Sequence, residues 1–152
     1  MVSKPTFDAN TVSTNWENLI QDTNSILLNR ATQGQYAPGS VFKIVTTLAY
    51  MRQDADYIAY LHDCAGEYSQ DGTTIHCYNN RAHGHETLGD AVANSCNSAF
   101  SEIGLRLDIG EWKNTAKDLL FNQELECDLT VKQSSFALEK DDTSADVMMT
   151  AI

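Results

Sequence analysis

Hydrophobic positions fall at helical spacing through much of this chain. Val41, Ile44, Val45, Leu48, Ala49 and Met51 leave few polar gaps, which predicts a buried helix from Ser40 to about Gln53. Pro38-Gly39 ends the segment before it. Upstream, Trp16, Leu19, Ile20, Ile26 and Leu27 mark the apolar points of a mostly helical approach over Val12 to Asn29, and residues 1 to 7 read as the end of a strand. A short helix is predicted over Ala55 to His62. Leu88, Ala91, Val92, Cys96, Phe100, Ile103 and Leu107 continue at helical spacing behind Thr87, an N-cap with Asp90 three residues on. Periodicity alone draws one long helix there. Glu111 to Phe121 predicts another, and Asp141-Asp142-Thr143 caps a last one that runs to Ile152. Gly66 and Gly72, between Cys64 and Cys77, predict a turn or hairpin. No internal repeat or low-complexity linker breaks the pattern.

Composition bounds the class. The chain has 152 residues, 42% of them hydrophobic, with only 2 prolines, enough for one domain that buries a core. Its formal net charge of -11 argues against nucleic acid or an anionic membrane as a partner; solubility is the plainer use of that charge. No apolar run approaches the roughly 18 to 20 residues of a membrane span, and no signal-peptide pattern is present.

The chemistry-bearing stretch is Asn29-Arg30-Ala31-Thr32-Gln33-Gly34-Gln35-Tyr36-Ala37-Pro38-Gly39-Ser40-Val41-Phe42-Lys43. Ser40 falls in the first turn of the predicted buried helix, and Lys43, one turn on, shares its face. A serine alcohol is a weak nucleophile until a base takes its proton, and lysine serves only when its pKa is lowered. Burial and the positive end of a helix dipole both lower it, and the same helix end favours an oxyanion. The plainer alternative is an N-cap serine beside a lysine that snorkels to solvent.

With its flanks, this stretch resembles the penicillin-binding transpeptidase domain of high-molecular-weight, class B penicillin-binding proteins. The resemblance runs the whole length of the chain. Met1 to Asn10 looks like the opening of the domain's core, and Trp16 with Asn29-Arg30-Ala31 fits the approach to the serine. Ser95-Cys96-Asn97 is similar to the family's second motif; Ser13-Thr14-Asn15 has the same form but precedes the nucleophile. The resemblance breaks the long helix at Ser95 to Asn97. The family's third motif, Lys-Thr-Gly or Lys-Ser-Gly, does not occur in this chain.

The fold implied is mainly α, the helical subdomain of the α+β penicillin-binding transpeptidase (beta-lactamase-like serine acyltransferase) fold, with few strands because most of the sheet is missing. Residues 1 to 152 would form a partial transpeptidase domain, cut before the third motif, from a parent held at the extracytoplasmic face of the cell membrane. Implied partners are peptidoglycan stem peptides and beta-lactams, without nucleic acid and without a cofactor. Apolar surface meant for the sheet would be exposed and could drive self-association. Ser40 would be the nucleophile and Lys43 its base; Ser95 would relay a proton to the leaving amine, and Asn97 would bind the substrate amide and orient Lys43. Alternatives within the resemblance are a beta-lactam sensor, a non-catalytic penicillin-binding homologue, and a serine beta-lactamase or D,D-carboxypeptidase.

The cysteines admit more than one reading. The exported setting implied by the resemblance permits a disulfide between Cys64 and Cys77. All four histidines, His62, His76, His83 and His85, crowd around this pair, yet the spacing does not follow the usual zinc patterns, so a disulfide or free thiols is favoured over a metal. Cys96 and Cys127 read as small buried residues, with Cys96 turned away from any cleft.

Overall fold

A computed structural model describes residues 4–152. Contacts divide the chain into two compact units, residues 1–37 with 123–134, and residues 38–122 with 135–152.

The smaller unit is largely irregular. Helix α1 (Val12–Ile20) buries Leu19, but Trp16 and Ile20 are exposed. Turns replace the expected helix beyond residue 20, among them Ser25 in the left-handed region, and α2 (Arg30–Gln33) is a single turn capped by Asn29. The strand expected over residues 1 to 7 is absent from 4–7, and its first three residues lie outside those described. A backbone bond from Lys132 N to Thr32 O and a side-chain bond from Gln35 Nε2 to Gln133 O tie the two stretches of this unit together.

The larger unit is built around buried aromatics. A 3-10 turn over Gly39–Phe42 leads into α3 (Lys43–Gln53), so Ser40 lies in the turn and Lys43 opens the helix. Phe42 stacks on Phe136 at 5.6 Å between ring centres and meets Phe121 edge-on at 5.7 Å, with Trp112 at 6.4 Å. Such pairs add to the burial of their large apolar area. The predicted helix over Ala55 to His62 is only a 3-10 turn, Tyr57–Ala59, and the chain then extends into β1 (Leu61–Cys64). There Tyr60, His62 and Cys64 alternate inward, a period-two pattern that overrides the helical reading.

The predicted hairpin is present. Strands β2 (Glu67–Gln70) and β3 (Thr73–His76) are antiparallel around Asp71-Gly72, both at positive φ, the conformation a tight two-residue hairpin turn requires. Strand β4 (Gly84–Thr87) pairs antiparallel with β1, giving two separate two-stranded sheets.

Helix α4 (Leu88–Ala93) starts at a full capping box, with Thr87 Oγ1 accepting from Asp90 N and Asp90 Oδ2 accepting from Thr87 N. The pattern that continues at helical spacing is broken at Ser95, and α5 (Asn97–Arg106) begins beyond it. Helices α6 (Ile109–Asp118) and α7 (Ser144–Ala151) follow, α7 behind a second capping box at Thr143 and Asp146. Phe100 and Ile103 of α5 are wholly buried, and Gly104 lets α7 approach so closely that a Cβ there would lie 2.7 Å from Ala151 Cβ. Arg52 of α3 reaches Asp118 of α6 at 2.8 Å.

Helix α3 departs from the sequence expectation on one face. Val45, Ala49 and Tyr50 are buried, whereas Val41, Ile44, Leu48 and Met51 are 68, 57, 37 and 38% exposed. Spaced by three and four residues, these four form an apolar stripe along the helix. Among the described residues, no helix is long and apolar enough to cross a membrane.

Candidate functional site

Lys43 is the hub of the larger unit's polar interior. It is 3% exposed, and its Nζ lies 3.3 Å from Ser40 Oγ, 3.0 Å from Ser95 Oγ, 2.9 Å from Ser95 O and 2.6 Å from Asn97 Oδ1. The four polar residues singled out in the sequence are thus gathered at one nitrogen. The Ser40 spacing follows from one helical turn; the others need the chain to return across more than fifty residues.

The contacts differ in kind. Carbonyl oxygens only accept, so Ser95 O and Asn97 Oδ1 each take an N–H from Lys43. A neutral amine has two such hydrogens and one lone pair, and the remaining neighbours, Ser40 Oγ and Ser95 Oγ, are hydroxyls able to donate to it. The fixed acceptors therefore aim the lone pair at the two serines. Burial holds the Lys43 pKa below its ordinary range, an effect partly opposed by the sulfurs of Cys96 and Cys77. A lysine in this state can take a proton from a serine.

The turn between α4 and α5 presents Ser95 and Asn97. Ser95 has φ +51, a left-handed conformation that a non-glycine residue holds at a cost of order 1 kcal/mol. Ser95 N donates to Val92 O at 3.1 Å and Cys96 N to Ala91 O at 2.9 Å, which closes the end of α4. The kink lets one residue send both its carbonyl and its hydroxyl to Lys43. Asn97 Nδ2 donates to His76 O at 2.9 Å, which fixes the amide's orientation so that Oδ1 faces the amine. An open cleft of about 460 Å³ is lined by Ser40, His76, Tyr78, His83, Asn94, Ser95 and Asn97.

A separate serine–histidine–carboxylate group, of a different kind, is not foreshadowed by the sequence. His62 Nε2 is 2.8 Å from Ser98 Oγ, and His62 Nδ1 is 2.5 Å from Glu102 Oε2. Ser98 is 1% exposed and its hydroxyl donates to Glu67 O at 3.0 Å, so no reactant reaches it and its proton is committed. The trio bolts β1 and β2 to α5. Nothing local in the sequence joins His62 to Ser98.

Three cysteines occupy the same interior. Cys64, Cys77 and Cys96 are buried with free thiols, and Cys96 Sγ points inward to Cys77 and away from the cleft. Cys127, expected to be buried, is exposed. It sits in the irregular stretch of the smaller unit, where no helix or strand gives it an inner face.

Comparison with known proteins places these features in a family. The chain matches the penicillin binding protein transpeptidase domain over residues 1–152. It is 35% identical over 140 residues to the peptidoglycan D,D-transpeptidase PbpA of Mycolicibacterium smegmatis, covering 77% of this chain and 26% of that protein. It is 34% identical over 96 residues to the stage V sporulation protein D of Bacillus subtilis, covering 62% and 15% respectively. The ceftriaxone acyl-enzyme complex of penicillin-binding protein A from M. tuberculosis superposes with a TM-score of 0.88 at 26% identity, over 99% of this chain and 36% of that one. The D,D-transpeptidase domain of a peptidoglycan glycosyltransferase from Eggerthella lenta gives the same TM-score and identity, over 99% and 37%. The chain spans about a quarter or less of the length of these curated relatives. Sequence and backbone lead to one assignment: this chain belongs to the penicillin-binding protein transpeptidase domain family.

Proposed function

We propose that the chain supplies the nucleophile and proton-transfer groups of a serine D,D-transpeptidase in peptidoglycan cross-linking, and that beta-lactams acylate the same serine. The observation that carries this reading is the convergence of Ser40, Ser95 and Asn97 on Lys43 Nζ. Ser40 Oγ attacks the carbonyl carbon of a D-Ala-D-Ala bond as its proton passes to Lys43. The C–N bond breaks, and the departing amine takes a proton through Ser95 Oγ. Asn97 holds Lys43 by its oxygen. A neighbouring stem-peptide amine then attacks the ester, giving the cross-link and freeing Ser40.

On this reading the chain is part of a catalytic domain that acts at the extracytoplasmic face of the membrane. The family's third motif provides a carboxylate anchor and one of two oxyanion donors, and loss of one such donor costs about a hundredfold to a thousandfold in rate. The 152 residues by themselves contain no Lys-Thr-Gly or Lys-Ser-Gly. A fluorescent penicillin is therefore expected to label Ser40 in a protein that joins this chain to a complete domain, to leave Ser40→Ala unlabelled, and to label the 152-residue chain negligibly. An adduct on any other serine overturns the assignment, and stoichiometric labelling of the isolated chain overturns the role given to the third motif.

A further inference from the structure

Four potential metal ligands from separate elements meet beneath the turn that carries Ser95 and Asn97. Cys64 ends β1, Cys77 follows β3, His83 precedes β4 and Cys96 caps α5. Their ligating atoms all lie within 4.8 Å of one another. Cys64 Sγ is 3.6 Å from Cys77 Sγ and 3.4 Å from His83 Nδ1, and Cys77 Sγ is 3.8 Å from Cys96 Sγ. A tetrahedral zinc ion, with Zn–S of about 2.3 Å and Zn–N of about 2.0 to 2.1 Å, sets sulfur–sulfur edges of about 3.8 Å and sulfur–nitrogen edges of about 3.5 Å. These three edges fit that tetrahedron, and the other three are no longer than 4.8 Å. One disulfide, by contrast, would join two of the three sulfurs and leave the third stranded beside a histidine.

Two further observations point to a cation. Each sulfur accepts a backbone N–H, Cys64 from Gly66 at 3.4 Å, Cys77 from Ser98 at 3.5 Å and Cys96 from Ala99 at 3.4 Å. Such donors stabilise thiolates and recur around metal-bound sulfur. Glu86, 1% exposed, uses Oε1 to accept from Asn94 Nδ2 at 2.8 Å. Its Oε2 is buried without a well-formed hydrogen bond, 3.9 Å from His83 Nδ1. A buried carboxylate oxygen with no hydrogen-bond partner, this close to the ligand cluster, is balanced by a cation placed there.

We propose that Cys64, Cys77, His83 and Cys96 bind one Zn²⁺ in a closed Cys₃His site that clamps the turn presenting Ser95 and Asn97 to Lys43. With four protein ligands and no open position, the ion is structural and does not touch substrate. Binding releases the protons of the three thiols to solvent. The four ligands lie 13, 6 and 13 residues apart, outside the usual zinc spacings, and meet through the pairing of β1 with β4 and the hairpin. The clamp's relevance to catalysis rests on the proposed transpeptidase role, whereas the metal site itself does not.

The test is metal analysis of the 152-residue chain purified without chelator. The expected result is about one zinc per chain, retained in Cys127→Ser and lost in both Cys64→Ser and His83→Ala. Cobalt titration of the unsubstituted chain, which does not depend on any variant folding, is expected to saturate near one equivalent with the visible bands of tetrahedral thiolate coordination. Chelation is expected to speed amide hydrogen exchange across residues 94–98 at least tenfold. No bound zinc with free thiols, a mass deficit of two hydrogens marking a disulfide, or octahedral cobalt bands would each overturn the site. Unchanged exchange at 94–98 would overturn the clamp. Penicillin labelling enters none of these readouts, so failure of the metal site and failure of the transpeptidase reading are separable.

Discussion

Lys43 Nζ and Asn97 Oδ1 stand 2.6 Å apart, the shortest of the amine's contacts. An amide oxygen can only accept, so this pair fixes one hydrogen of the amine and, with it, the direction of the lone pair. Removing the acceptor in Asn97→Ala is expected to lower acylation of Ser40 by about tenfold to a hundredfold, in line with a lost hydrogen bond to a charged or reacting group. Asn97→Asp places a carboxylate against the amine and favours its ammonium form. Its acylation rate is expected to recover only at higher pH than in the unsubstituted protein. Rate against pH for both variants, in a protein that completes the domain, measures this; identical profiles for Asn97→Asp and the parent would exclude an orienting role.

The pH dependence follows from the burial of Lys43. Desolvation lowers its pKa from the ordinary 10.5, so more of the amine is neutral near neutrality than for an exposed lysine. On the proposed mechanism acylation uses that neutral form and is expected to rise with pH and to level off below 10.5. Stability moves in the same direction. In the window between the folded value and 10.5 the unfolded chain binds the extra proton, so the cost of burying the ammonium is full below the folded value, fades as pH rises through the window, and is gone above it. Lys43→Met removes that slope; denaturant titrations of both proteins over this range show whether it does.

Gly104 sits where α5 and α7 touch. An added Cβ would lie 2.7 Å from Ala151 Cβ and 3.7 Å from Val147 Cγ1, so Gly104→Ala must push the helices apart. The alanine's better helix propensity is worth less than 1 kcal/mol, whereas overpacking costs about 1 to 3 kcal/mol. A net loss of stability is expected, read as a lower thermal midpoint. A rise would show that α7 yields freely.

The apolar stripe of Val41, Ile44, Leu48 and Met51 has its own expected behaviour. The 152-residue chain is expected to associate as concentration rises, and Ile44→Lys with Leu48→Glu to reduce that association. Light scattering that reports a monomer throughout would remove the stripe as its cause.

Local signals were read most accurately. The caps at Thr87, with Asp90, and at Thr143 are set by hydrogen bonds three residues apart, and both helices start where the residues require; the partner of Thr143, Asp146, emerges only in the structure. The hairpin at Asp71-Gly72 has the same local origin. The helix expected over Ala55 to His62 gives way to β1 because Leu61 to Cys64 are held by β4, whose partner residues lie twenty or more positions away. The break at Ser95 was invisible to periodicity, since Cys96 and Phe100 keep the helical beat across it; the family resemblance supplied it. Ser40 and Lys43 are legible as a pair from their spacing, whereas Ser95 and Asn97 join them only through the family resemblance. Cys64, Cys77 and His83 are legible as near neighbours along the chain, but their meeting with Cys96 is not, because no two of the four share an element.

The bond from Lys43 to Asn97 closes a stretch of 54 residues, within which lie both hairpin strands, the β1–β4 pair and α4. Loop-closure entropy makes such a contact unfavourable until the intervening elements are in place. The site is therefore assembled late and all at once. Its reactivity would act as a gauge of the whole larger unit's folding, failing together with the core rather than fading residue by residue.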